Sequence, residues 1–141
     1  MKSEVIDKLL KFWSPVFVWA AIIFSFSAKP TNPVSEIYWK DFIVKKLAHV
    51  VVYAILAIFL YRAFKKEGVD RKKAGYYSII VAVLYGLTDE FHQSYTPGRD
   101  PKLRDVIFDT IGATFAIYGL WNILPKAPSK LKKLAENLQL L

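Results

Sequence analysis

Four apolar runs, each bounded by charge, proline or glycine, constrain this chain more than any other feature. They cover residues 12–28, 42–64, 74–88 and 106–124. A helix needs roughly 20 residues to cross the hydrocarbon core of a bilayer. The purely apolar part of the second run is only 50–61, and the third run stops at Thr88. A second spanning helix must therefore take in His49, with Lys45 and Lys46 at its boundary. A third must continue through Gln93, which places Asp89 and Glu90, with His92, inside its end. Charged residues make up 23% of the chain, a share ordinary for a soluble protein, but they cluster at the ends of apolar runs. That clustering, in a chain that is 54% hydrophobic, indicates an integral membrane protein. The expected fold is all-α, a bundle of four transmembrane helices over residues 12–124. A cytoplasmic segment (1–11) precedes it and a cytoplasmic amphipathic tail (125–141) follows.

Several local signals refine this frame. Val5, Ile6, Leu9 and Leu10 recur at helical spacing in the charged N-terminal segment, a pattern that lies in a lipid interface. Pro15 sits near the start of the first run, where proline costs a helix little. A signal peptide competes for this run, because 25–28 contains small residues. Trp13, Trp19 and Phe26 favour a retained anchor. Pro30, Asn32 and Pro33 break the chain before the second run, and Gly68 offers a turn before the third. Thr96-Pro97-Gly98 turns it again. In the fourth run Gly112 and Ala116 form a small-xxx-small pair suited to close helix contact. Pro125 and Pro128 end it. Leu131, Leu134, Leu138 and Leu141 then mark one face of an interfacial helix, opposite Lys130, Lys132 and Lys133.

Four spans put the N-terminus, the 62–73 connection and the tail on one side. Thirteen of the twenty lysines and arginines lie there. The positive-inside rule makes that side cytoplasmic. The net charge of +8 is then a matter of orientation and anionic lipid rather than of nucleic acid. The chain has no cysteine, hence no disulfide and no thiolate chemistry.

The topology brings three polar segments to the outer face: Lys45, Lys46 and His49; Asp89 to Gln93; and Asp105 and Asp109. Lys46, His49 and Tyr53 share one helical face at i, i+3, i+7. Gln93 lies one turn beyond Asp89 and Glu90, and Asp105 and Asp109 stack four apart. Lys45, Lys46, Arg99 and Arg104 balance Asp89, Glu90, Asp105 and Asp109, so the cluster can be neutral. Three readings follow. The first is an ion-pair network that only ties helices together, since intramembrane ionisable groups are usually paired. The second is a binding site in which Arg99, Arg104 and the lysines hold phosphate or carboxylate while the acids bind amine or hydroxyl groups. The third is catalysis, with His49 (or His92), Glu90 and Asp109 as the acid and base candidates. A metal is weakly supported: there is no HExxH motif and there are two histidines. No cofactor is called for.

The ordered pieces Lys46-Leu47-Ala48-His49 with Tyr53, Asp89-Glu90-Phe91-His92-Gln93, Pro97-Gly98-Arg99, Arg104-Asp105-Val106 and Asp109-Thr110-Ile111-Gly112-Ala113 resemble the VanZ-like family of small membrane proteins. The resemblance spans about residues 12–122. It implies a multi-pass bacterial membrane protein, with Lys46, His49, Tyr53, Asp89, Glu90, Gln93, Arg99, Arg104, Asp105 and Asp109 as the signature. The family's named member is associated with low-level resistance to teicoplanin, a lipidated glycopeptide. Where the family often has a serine pair and a glutamine near the end of the first run, this chain reads Phe24-Ser25-Phe26-Ser27-Ala28 and lacks the glutamine. The leading expectation is therefore binding of an amphipathic or lipid-linked envelope molecule at the outer face. A membrane enzyme acting on such a substrate is the alternative, and a structural or assembly protein, self-associating through the polar face of the fourth helix, is the third.

Overall fold

A computed structural model describes residues 6–7, 9–30, 37–97, 99 and 102–141. Val5, the loop breakers Asn32 and Pro33, and Gly98 lie outside the described residues. Among the described residues there is helix and no strand. Helix α1 runs Leu9–Ser27, opening on a widened π-helical turn, Leu9–Trp13. Helix α2 is Tyr38–Lys66 and α3 is Arg71–Gln93. Helix α4 is Leu103–Tyr118, prolonged by a π-turn at Gly119–Ile123 and a 3-10 turn at Leu124–Lys126. A short α5, Ser129–Asn137, closes the chain.

Three of these helices, Leu9–Ser27, Tyr38–Lys66 and Leu103–Lys126, are long and apolar enough to cross a membrane. Helix α3 is about 35 Å long at 1.5 Å per residue. Its tyrosines and its terminal Asp89 and Glu90 make it more polar than the other three. Exposed Phe17, Phe24, Phe26, Leu47, Leu84, Ile107 and Phe115 cover the outside of the bundle. In water that surface would be an aggregation patch, whereas against lipid it is ordinary.

Helices α2 and α4 start earlier than their apolar runs. Ile37 O accepts from Lys40 N and Asp41 N, and Asp41 pairs with Lys45 one turn on, at 2.8 Å. Acids in the first turns, Asp41 and Asp105, also suit the positive end of each helix dipole. Between α2 and α3 the chain turns at Gly68, whose φ of +84° lies where a side chain is disfavoured. Asp70 then caps α3, accepting from Lys72 N and Lys73 N. These two amides hold its carboxyl below the usual carboxylate range.

Lipid is as apolar as leucine, so close packing and hydrogen bonds, not transfer from water, hold membrane helices together. The small residues are placed accordingly: Ala57, Ala63, Ala74, Ala82 and Ala113 are at most 1% exposed. The tightest approach is at Gly112, where a Cβ would overlap the carbonyl of Val50. Helices α2 and α4 thus touch backbone to backbone, and Ala116 packs half-buried one turn further along. Tyr53, Leu56, Leu60, Tyr61 and Ile117 fill the core beside this contact. Helix α1 is held by aromatic donors on helix carbonyls: Trp19 Nε1 donates to Val52 O at 2.9 Å, and Tyr85 Oη to Ala20 O at 2.6 Å. Pro125 has no N–H to give the preceding turn of α4. Arg71 fills that role, donating to Leu120 O and Trp121 O at 3.1 Å each.

The tail is helical, but for nine residues only. Leu138 caps the helix and Leu141 lies beyond it, so the expected four-leucine stripe is split. Gln139, at φ 60°, reverses the chain so that Leu140 N reaches Ala135 O and its side chain packs on the core. Leu131, Leu134, Leu138 and Leu141 are all exposed.

Candidate functional site

The faces of α2 and α4 meet in register. His49 lies three positions after Lys46 and Asp109 four positions after Asp105, so each pair spans about one turn. Lys46 Nζ lies 2.5 Å from Asp105 Oδ1. His49 Nδ1 lies 2.8 Å from Asp109 Oδ1, and its Nε2 is 4.0 Å from Asp105 Oδ2. Asp109 is 1% exposed and sits against Gly86 of α3, where a Cβ would approach Asp109 Oδ2 to 3.0 Å. With Asp109 ionised the carboxylate only accepts, so His49 carries a proton on Nδ1; in the neutral imidazole Nε2 is then the acceptor. One turn further along α2 is Tyr53, 1% exposed, whose hydroxyl has no hydrogen-bond partner among the described residues.

The acids of α3 divide their work. Gln93 Nε2 donates to Asp89 Oδ2 at 3.0 Å, the one-turn pairing expected from the sequence. Glu90 Oε2 instead accepts from Lys102 N at 2.7 Å and so fixes the entry into α4. Glu90 and Asp109 are both buried outside the cleft described next. Asp109 meets His49, which lines that cleft, and Glu90 Oε1 has no partner among the described residues.

A cleft of about 820 Å³ opens between α1, α2, the end of α3 and the start of α4. Trp19, Ile22, Ile23, Phe26, Phe42 and Val52 supply its apolar wall. Of the sequence candidates, Lys46, His49, Tyr53, Asp89, Gln93, Arg99, Arg104 and Asp105 line it. The expected charge balance is corrected here. Among the described residues Lys29, Lys45, Lys46, Arg99, Lys102 and Arg104 line the cleft against Asp41, Asp89 and Asp105, so basic side chains outnumber acidic ones on its described wall. The two acids counted from the sequence, Glu90 and Asp109, are turned inward, and Lys29 and Lys102 take places not expected for them.

The arginines are also not paired as the sequence suggested. Among the described residues neither makes an ion pair. Arg99 donates through Nε to Lys29 O at 3.0 Å and through an Nη to Phe26 O at 2.9 Å, where the end of α1 offers carbonyls that no further turn of helix satisfies. Arg104 lies 4.8 Å above the Phe42 ring. A cation on an aromatic face keeps its planar fork free for an anion. His92 stacks on Phe24, ring centres 4.1 Å apart, and does not line the cleft.

Ser27 is the residue that sequence reasoning passed over. It is 4% exposed, lines the cleft, and its Oγ has no partner among the described residues. The serine-rich end of the first run is the available signal, weakened by the missing glutamine. Phe42, Trp19 and Lys29 carry no signal beyond their residue type; the docking of α1 brings Trp19 and Lys29 to the cleft, and Phe42 reaches it from the first turns of α2.

No curated protein and no solved structure matches this chain. A family model described as VanZ/LLP1 matches residues 8–124, which takes in α1 to α4 and every residue of the paired faces just described. By that match the chain belongs to the VanZ/LLP1 family, and with its apolar helices it is a VanZ-like membrane protein.

Proposed function

We propose that this is a multi-pass protein of the bacterial cytoplasmic membrane whose cleft binds the anionic head of an amphipathic or lipid-linked envelope molecule. In this reading α3 is the fourth span, both termini are cytoplasmic, α5 rests on the lipid interface, and the cleft faces the outer leaflet. The observation that carries it is the cleft's double character: six basic side chains against three acidic ones among the described residues, beside an apolar wall from α1 and α2. A soluble anion needs only the first, and an acyl chain only the second. Tolerance of a teicoplanin-type lipoglycopeptide is the phenotype expected if the bound molecule is the antibiotic or its envelope target. Arg104 is the anchor for the anion, because it is exposed and, among the described residues, rests on the Phe42 ring without an ion pair.

The test is binding of phosphatidic acid to the detergent-solubilised protein. Arg104→Ala removes charge-assisted hydrogen bonds and should weaken binding about tenfold or more. Cells carrying it should lose any lipoglycopeptide tolerance the wild type confers. Unchanged affinity sinks the assignment.

A second reading, a membrane enzyme acting on a lipid-linked or phosphorylated substrate, is favoured by one observation. The buried Asp109 orients His49 so that Nε2 is the accessible base on the cleft wall. Turnover of a phospholipid or prenyl phosphate by the wild type, abolished in His49→Gln with binding retained, would select it over simple binding.

A further inference from the structure

The inner end of the cleft has a chemistry different from its basic side. Three residues there are at least nine-tenths buried yet carry polar atoms without a partner among the described residues: Ser27 Oγ, Tyr53 Oη and Asp89 Oδ1. They come from three helices, α1, α2 and α3, and all line the same cavity. Gln93, also buried, orients the Asp89 carboxylate from its other oxygen. Buried polar atoms are rarely left unmatched, and each such atom costs free energy unless a ligand or water completes it. Convergence of three of them on one cavity, from three separate helices, is what a built subsite looks like.

Their donor and acceptor capacities select the ligand. Asp89 accepts only, whereas the serine and tyrosine hydroxyls each donate one proton and also accept. An ammonium group brings donors alone, so the Ser27 and Tyr53 protons would stay unmatched. A phosphate brings acceptors alone and would meet the Asp89 charge. Neighbouring hydroxyls bring both, and a carboxylate with two flanking hydroxyls matches a diol. We propose that Ser27, Tyr53, Asp89 and Gln93 form a hydroxyl-recognising subsite, and that the ligand's head is a polyol or sugar joined to a phosphate. This deepens the reading of the cleft as a site for an anionic amphipath and rests on it: the basic side takes the phosphate and the inner end takes the hydroxyls.

The experiment compares lipids with identical acyl chains on the purified protein. Phosphatidylglycerol has the diol, phosphatidic acid lacks it, and phosphatidylethanolamine has an ammonium in its place. Two additional matched hydrogen bonds should make phosphatidylglycerol bind about tenfold more tightly than phosphatidic acid. Tyr53→Phe and Ser27→Ala should each erode that preference by weakening phosphatidylglycerol binding more than phosphatidic acid binding. Both variants remove an unmatched buried hydroxyl, so the free protein should be as thermally stable as the wild type or more so. Glycerol phosphate as competitor separates the two sources of this chemistry. Competition at comparable affinity assigns a soluble polyol phosphate, and its failure assigns the lipid; either result upholds the hydroxyl subsite. Equal binding of phosphatidylglycerol and phosphatidic acid overturns the subsite alone, as does preference for phosphatidylethanolamine. Binding of none of them overturns the subsite together with the reading it rests on.

Discussion

His49 and Asp109 show how one hydrogen bond decides the character of a residue. A histidine among apolar residues on a membrane helix is suspicious in the sequence, but its neighbour is sixty positions away. The 2.8 Å contact ties His49 Nδ1 to the carboxylate, and the 1% exposure of Asp109 makes the pair hard to break. Removing one partner strands the other in a poorly hydrated site. Asp109→Ala should therefore lower stability by about 2 kcal/mol, the cost of an unmatched buried polar group. In the double variant Asp109→Ala with His49→Leu the loss should be smaller than the two single losses added together. Thermal unfolding in detergent measures this cycle. Strict additivity would mean that the contact contributes no coupling. Glu90 teaches the opposite lesson. One oxygen of its carboxylate, Oε2, holds Lys102 N and so positions α4, while Oε1 is buried without a partner among the described residues.

The helices themselves were largely legible from residue order. Apolar runs, Gly68, Pro125 and the one-turn spacing of Asp89 and Gln93 all landed where periodicity and turn chemistry put them. Extension of the third helix through Gln93 followed from length alone and is what the structure has. Helix starts were less legible. First-turn hydrogen bonds and the Asp41–Lys45 pair extend α2 into residues that look like loop. Pairing of elements depends on glycines whose roles differ although nothing in the residue type distinguishes them. A Cβ added at Gly112 would run into Val50 O, and the obstacle is backbone, which cannot swing aside. Gly119 has nothing within 4 Å. Gly112→Ala should cost about 1–3 kcal/mol through forced separation of α2 and α4. Gly119→Ala should be neutral or stabilise by up to about 1 kcal/mol, because alanine loses less entropy in a helix. Melting of the two variants side by side checks the contrast. Equal effects would mean that the α2–α4 contact is looser than its geometry.

At the scale of the whole molecule, charge sets orientation and docking sets the site. If α3 spans, thirteen of the twenty lysines and arginines fall on the side of both termini, which predicts that the termini are cytoplasmic. The cysteine-free chain allows a direct check. Cysteine at Tyr95, 71% exposed beyond α3, should react with an impermeant thiol reagent applied to intact cells. Cysteine at exposed Lys72, at the other end of α3, should react only after the membrane is opened. These positions avoid Thr96, which is buried, and Gly68, whose backbone disfavours a side chain. The reverse labelling pattern would invert the topology, and labelling of both in intact cells would mean that α3 does not span.

Residue order by itself determined the all-helical membrane class, the family, and which polar residues gather at one end of the bundle. These depend on properties that act along the chain: apolar length, helical period, breakers and the spacing of a signature. Only the tertiary structure decided the sign and shape of the site. Rotation of each helix about its axis turned Glu90 and Asp109 inward and left Arg104 on the cleft wall. Docking of α1 brought Ser27, Phe26 and Lys29 within reach of residues far along the chain. Those outcomes depend on which atoms meet across helix interfaces, and a side chain's position in sequence does not carry that information.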